Sequence, residues 1–161
     1  MTHDVPIQMR PIGVVETSVA DEDVARQRRR LVSDIIIFDE YAAGLEGITE
    51  YSHIIVLFWM HRAQPPSELL VYPRGDRSLP LTGVLASRGR GHPNPIGLAV
   101  AELLERNETR LHVRKLDACD GTPIIDIKPY DHYDAHTELR VPGWFEERAN
   151  RPLSQDPKTS G

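Results

Sequence analysis

Cysteine, aromatic residues and long apolar runs are all scarce in this sequence of 161 residues. The single cysteine, Cys119, has no second thiol to pair with, which excludes an internal disulfide and is typical of a reducing cytosol. No stretch of about 18 apolar residues occurs, so no membrane-spanning helix is predicted. The first residues, MTHDVPIQMRPIG, lack the basic segment and apolar core of a signal peptide. We therefore expect a cytoplasmic protein without a membrane contact.

The charge balance is acidic, with a net charge of −5 at pH 7. This argues against a broad nucleic-acid-binding surface but permits a local basic patch. The clearest patch consists of Arg26, Arg28, Arg29 and Arg30. Such a run is most often a solvated face of the protein. The alternative is a contact with phosphate or another oxyanion, which arginine binds through two parallel hydrogen bonds.

Short β-type segments separated by proline and glycine dominate the chain. They predict strands at residues 6–16, 33–38, 53–61, 82–87, 110–116 and 122–128, while periodicity leaves residues 95–104 open between strand and short helix. One short helical turn is predicted after Asp39. Since strands do not alternate with helices, a Rossmann sheet is disfavoured. The predicted fold is mainly β, a barrel with a few short peripheral helices.

The predicted domain covers residues 1–145, and the polar residues 146–161 are expected to form a disordered tail. Within the domain, residues 62–80 contain four prolines and no strand pattern. A loop of this length in a compact domain is typical of a lid or a partner contact.

Two blocks carry side chains that packing alone does not require. In the first, RGRGHPNPIG at residues 88–97, Pro93 and Pro95 hold His92 and Asn94 in a stiff, extended segment. The amide of Asn94 offers two donors and an acceptor, which suits a base edge or a ligand amide. The spacing lacks the lysine of a phosphate-binding P-loop. The competing interpretation is a turn that locks two strands together.

The second block is LDACDGTPIIDIKPY at residues 116–130. On a strand, Asp126 and Lys128 share a face with Ile124, and an acid and a base at such positions suggest a lined cavity. Asp120 before a glycine is a common turn former, whereas Asp117 has less structural reason to be acidic. The competing interpretation is a structural ion pair followed by a turn.

Two other constellations are weaker. His132 and His136 have a metal-ligand spacing if they are helical, but no third ligand stands near them. Cys119 would need a neighbouring base to act as a nucleophile. We therefore expect neither a metal site nor cysteine catalysis.

The blocks resemble those of the TsaA-like (YaeB/TrmO) family, whose members are SAM-dependent tRNA methyltransferases that methylate N6 of N6-threonylcarbamoyladenosine next to the anticodon. The resemblance covers residues 7–131 and rests on PIGVVET, GLEGITEYSHIIVLFWMH, GVLASRGRGHPNPIGL and DGTPIIDIKPY. It implies a single-sheeted antiparallel β-barrel (YaeB-like) that forms homodimers. It also implies S-adenosyl-L-methionine as cofactor and tRNA as substrate.

The resemblance further implies which residues form the site. For cofactor binding they are Arg26, Gln27, His61, Arg62, Arg88, Leu98, Arg114, Lys115, Leu116 and Asp117. For catalysis we select Asp117 and Asp126 as candidate bases and Lys128 as the group that polarises a carbonyl. For substrate binding we select Arg90, His92, Asn94, Asp120 and Tyr130.

Two departures from the family pattern leave alternatives open. His92 stands where the family has arginine, so a phosphate contact there would be weaker or pH-dependent. Ala25 stands where the family has proline. One alternative is a methyltransferase of the same fold that acts on another nucleoside or a small molecule. The other is a SAM-binding sensor without catalysis.

Overall fold

The computed structural model describes residues 6–149, which divide into two compact units. The barrel unit contains residues 6–62 and 96–130, and the ribbon unit contains residues 63–95 and 131–149. The elements of the chain are β1 (Gly13–Glu16), α1 (Asp21–Gln27), β2 (Val32–Ile37), β3 (His53–Trp59), β4 (Leu70–Val71), β5 (Thr82–Gly83), β6 (Ile96–Asn107), β7 (Arg110–Arg114), β8 (Pro123–Pro129) and α2 (Gly143–Ala149).

Six strands form a closed antiparallel barrel in the order β1-β2-β7-β6-β3-β8. Every backbone pairing in this ring is antiparallel. The long strand β6 closes the barrel because its first half pairs with β3 and its second half pairs with β7. The prediction of a mainly β, single-sheeted antiparallel barrel with few short helices is therefore confirmed.

The barrel interior is filled by alternate residues of the strands, as expected for a pleated sheet with one buried face. In β3 the buried positions are Ile54, Val56 and Phe58, and in β7 they are Leu111 and Val113. These side chains belong to one continuous apolar core. The continuous apolar run of residues 53–61 is thus a strand, as predicted, with its second face only half-buried.

One end of the barrel is closed by residues 115–122, which connect β7 to β8. Leu116 and Ala118 of this connection are buried in the core. The backbone N–H of Lys115 donates to the carbonyl of Leu31 at 2.8 Å, and that of Gly121 donates to the carbonyl of Val15 at 2.8 Å. We call this connection the plug and this end of the barrel the plugged end.

The boundaries of several elements differ from the predictions. Helix α1 was not predicted, because its acidic first turn and basic end lack a clear apolar stripe and bury only Val24. Residues 84–86 form a 3-10 helix where a strand was predicted. Residues 95–104, left open from the sequence, begin β6.

The ribbon unit is not part of the six-stranded barrel, which therefore occupies only part of the domain predicted over residues 1–145. Its centre is the pairing of β4 with β5, which we call the ribbon. Residues 146–149, predicted to start a disordered tail, belong to α2, and residues 150–161 lie outside the described part. None of the helices between residues 6 and 149 has the length and apolar character needed to cross a membrane.

Candidate active site

The antiparallel topology gathers several predicted site residues at the plugged end. Strands β1, β3 and β7 end there, and β2, β6 and β8 begin there. His61 and Arg62 follow β3, α1 with Arg26 and Gln27 follows β1, and the segment 114–117 begins at the last residue of β7. Residues separated by up to about 90 positions in the sequence are thus brought to one end of one barrel unit.

Arg62 connects the end of β3 to α1. Its guanidinium forms an ion pair with the carboxylate of Asp21, the first residue of α1. Its Nε donates to Nε2 of His61 at 3.2 Å, so this ring nitrogen is an acceptor and the imidazole proton is assigned to Nδ1. Arg26 lies 3.6 Å from Asp23 on the same helix, in an exposed pair. The structure therefore places the two predicted cofactor segments, at residues 26–27 and 61–62, on contacting elements.

Exposed and buried residues alternate in the segment that enters the plug. Lys115 and Asp117 are exposed, whereas Leu116 is fully buried in the core. Leu116 can therefore offer a cofactor only its backbone, and its role in cofactor binding stays a prediction. Lys115 has φ 69°, a left-handed conformation that is unusual for a residue other than glycine. Such strained positions cluster at functional sites.

Arg114 lies on the outer face of the barrel beside β6. Its Nη1 donates to Oε2 of Glu102 at 2.7 Å, in a partly buried ion pair. This ion pair orients the guanidinium toward Glu102.

Asp126 and Lys128 lie on the outer face of β8, next to β3. Lys128 Nζ is 2.8 Å from Oδ2 of Asp126, and Oδ1 of Asp126 accepts the N–H of Ile127 at 2.9 Å. The hydrogen bond and the charge of Asp126 raise the pKa of Lys128 above its ordinary value. Both oxygens of Asp126 are engaged, which makes it a poor general base. Lys128 stays a cation, as a group that polarises a carbonyl must.

A bulge in β8 corrects one detail of the predicted face. The pairing with β3 shifts between Leu57 and Phe58, so that Leu57 faces Asp126 and Phe58 faces Ile124. Ile124 is consequently fully buried in the core. The prediction that Ile124 shares the face of Asp126 and Lys128 was wrong, since the extra residue reverses the alternation.

Leu98 lies two residues into β6 and pairs with Leu57. Its side chain points outward and is exposed, which suits a flat apolar ligand surface. Its neighbour Gly97 is fixed by packing, since a Cβ atom there would lie 2.1 Å from the ring of Phe58.

Two of the predicted substrate residues have structural tasks. Oδ1 of Asp120 accepts the N–H of Thr17 at 3.0 Å, which ties the plug to the end of β1. The backbone N–H of Tyr130 donates to the carbonyl of His53 at 3.1 Å, and the two rings meet edge to face. His53 begins β3 and His61 follows its end, at least about 20 Å away. Tyr130 therefore cannot share a small ligand with His61.

The remaining predicted residues belong to the ribbon unit. They are Arg88, Arg90, His92 and Asn94, all within the loop before β6. Nε2 of His92 donates to the carbonyl of Ser87 at 3.0 Å, which favours the interpretation that this histidine closes its own loop. Arg88, Arg90 and Asn94 are exposed.

A charged cluster on the outer face of β1, β2 and β7 was not predicted. Asp34 Oδ2 lies 2.6 Å from Arg110 and its Oδ1 lies 2.6 Å from His112, while Glu16 Oε2 lies 3.2 Å from Arg110. Burial raises the pKa of Asp34, but the hydrogen bonds and charges of His112 and Arg110 outweigh it, so the pKa lies below its ordinary value. These side chains meet because of how β1, β2 and β7 are aligned with one another. The sequence of each separate strand does not reveal this alignment.

This cluster borders an open pocket of about 490 Å³. The pocket is lined by Glu16, Thr17, Ser18, Val32, Ser33, Asp34, His112 and Asp120. Since each charge is paired with an opposite charge from a neighbouring strand, we interpret the cluster as a link between three strands.

The histidines considered for a metal site are not on a helix. His132 lies in a turn that ends before His136. No group of three or more histidine, cysteine, aspartate or glutamate side chains within residues 6–149 has the arrangement of a metal site.

Residues 20–135 match the family model described as the tRNA-methyltransferase O N-terminal domain. The chain belongs to this family. The TsaA-like (YaeB/TrmO) membership inferred from the sequence blocks is thereby confirmed. The match covers the barrel unit from residue 20 onward, which includes every strand of the barrel except β1.

Related proteins agree with this assignment. The chain is 47% identical over 125 residues to an S-adenosyl-L-methionine-binding protein of Archaeoglobus fulgidus, covering 76% of this chain and 88% of that protein. It is 36% identical over 152 residues to the putative S-adenosylmethionine-dependent methyltransferase RcsF of Pseudomonas aeruginosa, covering 87% and 62%. The crystal structure of TrmO from Pseudomonas aeruginosa matches with a TM-score of 0.71 at 28% identity, covering 89% and 64%.

Some relatives are much longer than this chain. It covers 38% of a probable S-adenosyl-L-methionine-binding protein of Archaeoglobus fulgidus, with 41% identity over 145 residues. It likewise covers 64% of the Pseudomonas aeruginosa TrmO chain. The likeness thus concerns the domain that the chain shares with these proteins.

Proposed function

We propose that the chain is a cytoplasmic SAM-dependent methyltransferase that methylates N6 of threonylcarbamoyladenosine in the anticodon loop of tRNA. The observation that carries this proposal is the contact of Arg62 with α1, which joins two segments that we predict to bind the cofactor, at the plugged end of a barrel of the TrmO family. The names of relatives as SAM-binding proteins support the cofactor.

The exposed residues fit the chemistry of SAM. Its carboxylate matches an arginine, which binds carboxylates bidentately. Its ribose hydroxyl groups match a carboxylate such as Asp117, and its adenine matches the exposed side chain of Leu98. When bound, SAM supplies an electrophilic methyl group.

The substrate nitrogen needs help from the chain, because a urea-like N6 is a poor nucleophile until its proton is removed. Asp117 and Asp126 are the two candidate bases, and both oxygens of Asp126 are engaged, one by Lys128 and one by the N–H of Ile127. Lys128 remains protonated and can donate to the carbonyl oxygen of the carbamoyl group. In this account Asp126 holds Lys128 in position.

The arginines at the end of α1 are our candidates for the tRNA phosphates. Arg26, Arg28, Arg29 and Arg30 are all exposed, as is Arg90 in the ribbon unit. Replacing Arg28, Arg29 and Arg30 by alanine should weaken tRNA binding and reduce the salt slope of log K by about 0.7 for each phosphate that is no longer neutralised. Unchanged affinity and slope would exclude these arginines from the tRNA site.

Two specific observations favour alternatives. The use of His92 to close its own loop leaves the loop without the arginine of the family, which favours another nucleoside or a small molecule as substrate. The relative that this chain covers by 88% is named a binding protein, which favours a SAM sensor without catalysis. Turnover separates these functions, because only the enzymes consume SAM.

Calorimetric titration with SAM tests the cofactor first. We expect binding by the unaltered chain and about 10- to 100-fold weaker binding by Arg88→Ala, the usual value of a hydrogen bond to a charged group. Arg140→Ala, another exposed arginine of the ribbon unit, is the matched control. Absence of both heat and a thermal shift would refute SAM binding.

Methyl transfer then identifies the substrate. We expect label from methyl-labelled SAM to enter tRNA that carries threonylcarbamoyladenosine and not the same tRNA without this modification. Label in unmodified nucleosides would support the alternative methyltransferase, and SAM binding without consumption would support the sensor.

A further inference from the structure

The outer face of β3 lies between two sets of predicted site residues. On one side β3 pairs with β6, which sets Leu57 opposite Leu98. On the other side it pairs with β8, which sets Leu57 opposite Asp126. One step along the same pairing, Ile55 is opposite Lys128. Since neighbouring strands lie about 4.8 Å apart, the backbones of Leu98 and Asp126 are about 10 Å apart across β3. The register thus brings the predicted cofactor residue and the predicted catalytic pair to one face of the barrel unit.

An apolar floor fills the space between these residues. The outward side chains of β3 and β6 form it, those of β3 half-buried and those of β6 exposed: Ile55, Leu57, Trp59, Ile96, Leu98 and Val100. The ion pair of Lys128 with Asp126, at 2.8 Å, borders it on the side of β8. Apolar walls with a few charged or polar groups are typical of small-molecule sites. We call this surface the β3 floor, and its composition suits a flat ring with polar groups at its edge.

Trp59 is the aromatic member of the β3 floor. It pairs with Ile96, which places it diagonally across from Leu98, a separation of about 7–8 Å that an aromatic side chain can span. The backbone N–H of His61 donates to the carbonyl of Trp59 at 2.8 Å, so the chain turns directly after the tryptophan. This turn leads to Arg62 and its contact with α1. Trp59 therefore lies where the β3 floor meets the plugged end.

We propose that Trp59 is a platform on which an adenine ring stacks in the candidate active site. Proteins hold unpaired bases by stacking them on aromatic side chains, and the indole ring offers the largest such surface. The proposed reaction contains two adenine rings, that of SAM and that of the modified nucleoside. The inference rests on the proposed function for the source of the ring, and it adds a ligand-contacting residue to the site.

Tryptophan fluorescence tests the inference without any change at Trp59. The chain contains two tryptophans, Trp59 and Trp144, so Trp144→Phe leaves Trp59 as the only one. An adenine ring that stacks on indole quenches its fluorescence. We expect adenosine to quench the Trp144→Phe variant saturably. The matched control is Trp59→Phe, in which Trp144 reports alone and no saturable quenching is expected. Equal quenching of the two variants would show collisions in solution and would overturn the inference.

Two further ligands identify the source of the ring. Saturable quenching by SAM without RNA assigns the platform to the cofactor. Quenching only by tRNA that carries threonylcarbamoyladenosine assigns it to the substrate. If calorimetry shows that SAM and this tRNA bind while the fluorescence of Trp59 stays unchanged, the inference is overturned and the proposed function stands. If adenosine quenches Trp59 in a chain that binds no SAM, the platform is supported and the proposed function is refuted.

Substitution separates stacking from packing against Ile96. Trp59→Phe keeps an aromatic ring, whereas Trp59→Leu keeps only apolar character. Trp59→Leu should weaken binding of the quenching ligand about 5- to 100-fold, and Trp59→Phe should weaken it less. Trp144→Leu, the same change in α2, should leave the affinity unchanged. Circular dichroism should show the same fold for all three variants. Unchanged affinity of Trp59→Leu would show that Trp59 serves only the packing of the sheet and would overturn the proposal.

Discussion

Gly97 tests most directly whether packing in the barrel explains a residue of the RGRGHPNPIG block. It lies in the PNPIG stretch, but a Cβ atom at this position would lie 2.1 Å from one ring atom of Phe58 and 2.3 Å from another. Phe58 is itself buried in the core and pairs with Gly97 across β3 and β6. The ring cannot move without displacing other core residues, because protein interiors are close-packed.

Gly97→Ala should therefore destabilise the chain through overpacking. Such insertions typically cost about 1–3 kcal/mol, and the overlap with the ring argues for the upper half of this range. At about 2–4 °C per kcal/mol for a domain of this size, the melting temperature should fall by about 4–12 °C. Urea denaturation followed by circular dichroism measures the free energy of unfolding, and calorimetry measures the melting temperature.

A double-mutant cycle identifies the cause. Phe58→Leu removes the ring that the new methyl group meets, so Gly97→Ala should cost at least about 1 kcal/mol less in that background. Gly83→Ala is the control, because nothing lies within 4 Å of its Cβ position and its φ of −61° suits alanine. If Gly97→Ala costs no more than the control, or if the two changes in the cycle add, the packing argument is refuted.

Three further predictions follow from strain and charge. Asp34→Asn should lower the free energy of unfolding at pH 7. This difference should disappear as the pH falls through the lowered pKa of Asp34, below its ordinary value of 3.8, because the parent carboxyl is then protonated as well. Urea denaturation across this pH range would contradict the reasoning if the difference stayed constant. Lys115→Gly should raise the melting temperature by up to about 4 °C, since glycine adopts φ 69° without strain. The same substitution should weaken SAM binding if the lysine side chain binds the cofactor. A lower melting temperature would argue against backbone strain at this position. Asp126→Asn should lower the pKa of Lys128, which carbon NMR of the lysine Cε resonance measures directly, and an unchanged titration would show that the ion pair is absent in solution.

The fold was largely predictable because its strands are short and strongly patterned. Alternation in residues 110–116 and the β-branched start of residues 53–61 predict strands that the structure contains. Local sequence did not predict α1, whose single buried residue, Val24, leaves no periodic stripe. It also did not separate the ribbon unit from the barrel, because the division depends on which distant strands pair.

The candidate site was predictable in its parts but not in its assembly. Residues 26–27 and 61–62 were selected from separate stretches, and only the barrel topology shows that Arg62 contacts the helix that carries Arg26. The burial of Leu116 could not be read from an alternating pattern that ends at the plug. The bulge that turns Ile124 inward also left no sign in the residues themselves, since either register satisfies the apolar pattern.

The contacts divide the motif residues into those that hold the barrel and those that remain for chemistry. Gly97 admits Phe58, Asp120 fixes the plug to β1, and His92 closes its own loop, so each has a structural reason to occur. Lys115 and Asp117 differ from these three, because they are exposed and flank a buried leucine in a strained turn at the plugged end. A positive φ at an exposed, charged residue such as Lys115 is costly if stability is its only purpose. It is therefore at this turn, rather than at the more prominent histidine or glycines, that substitutions should separate loss of activity from loss of fold.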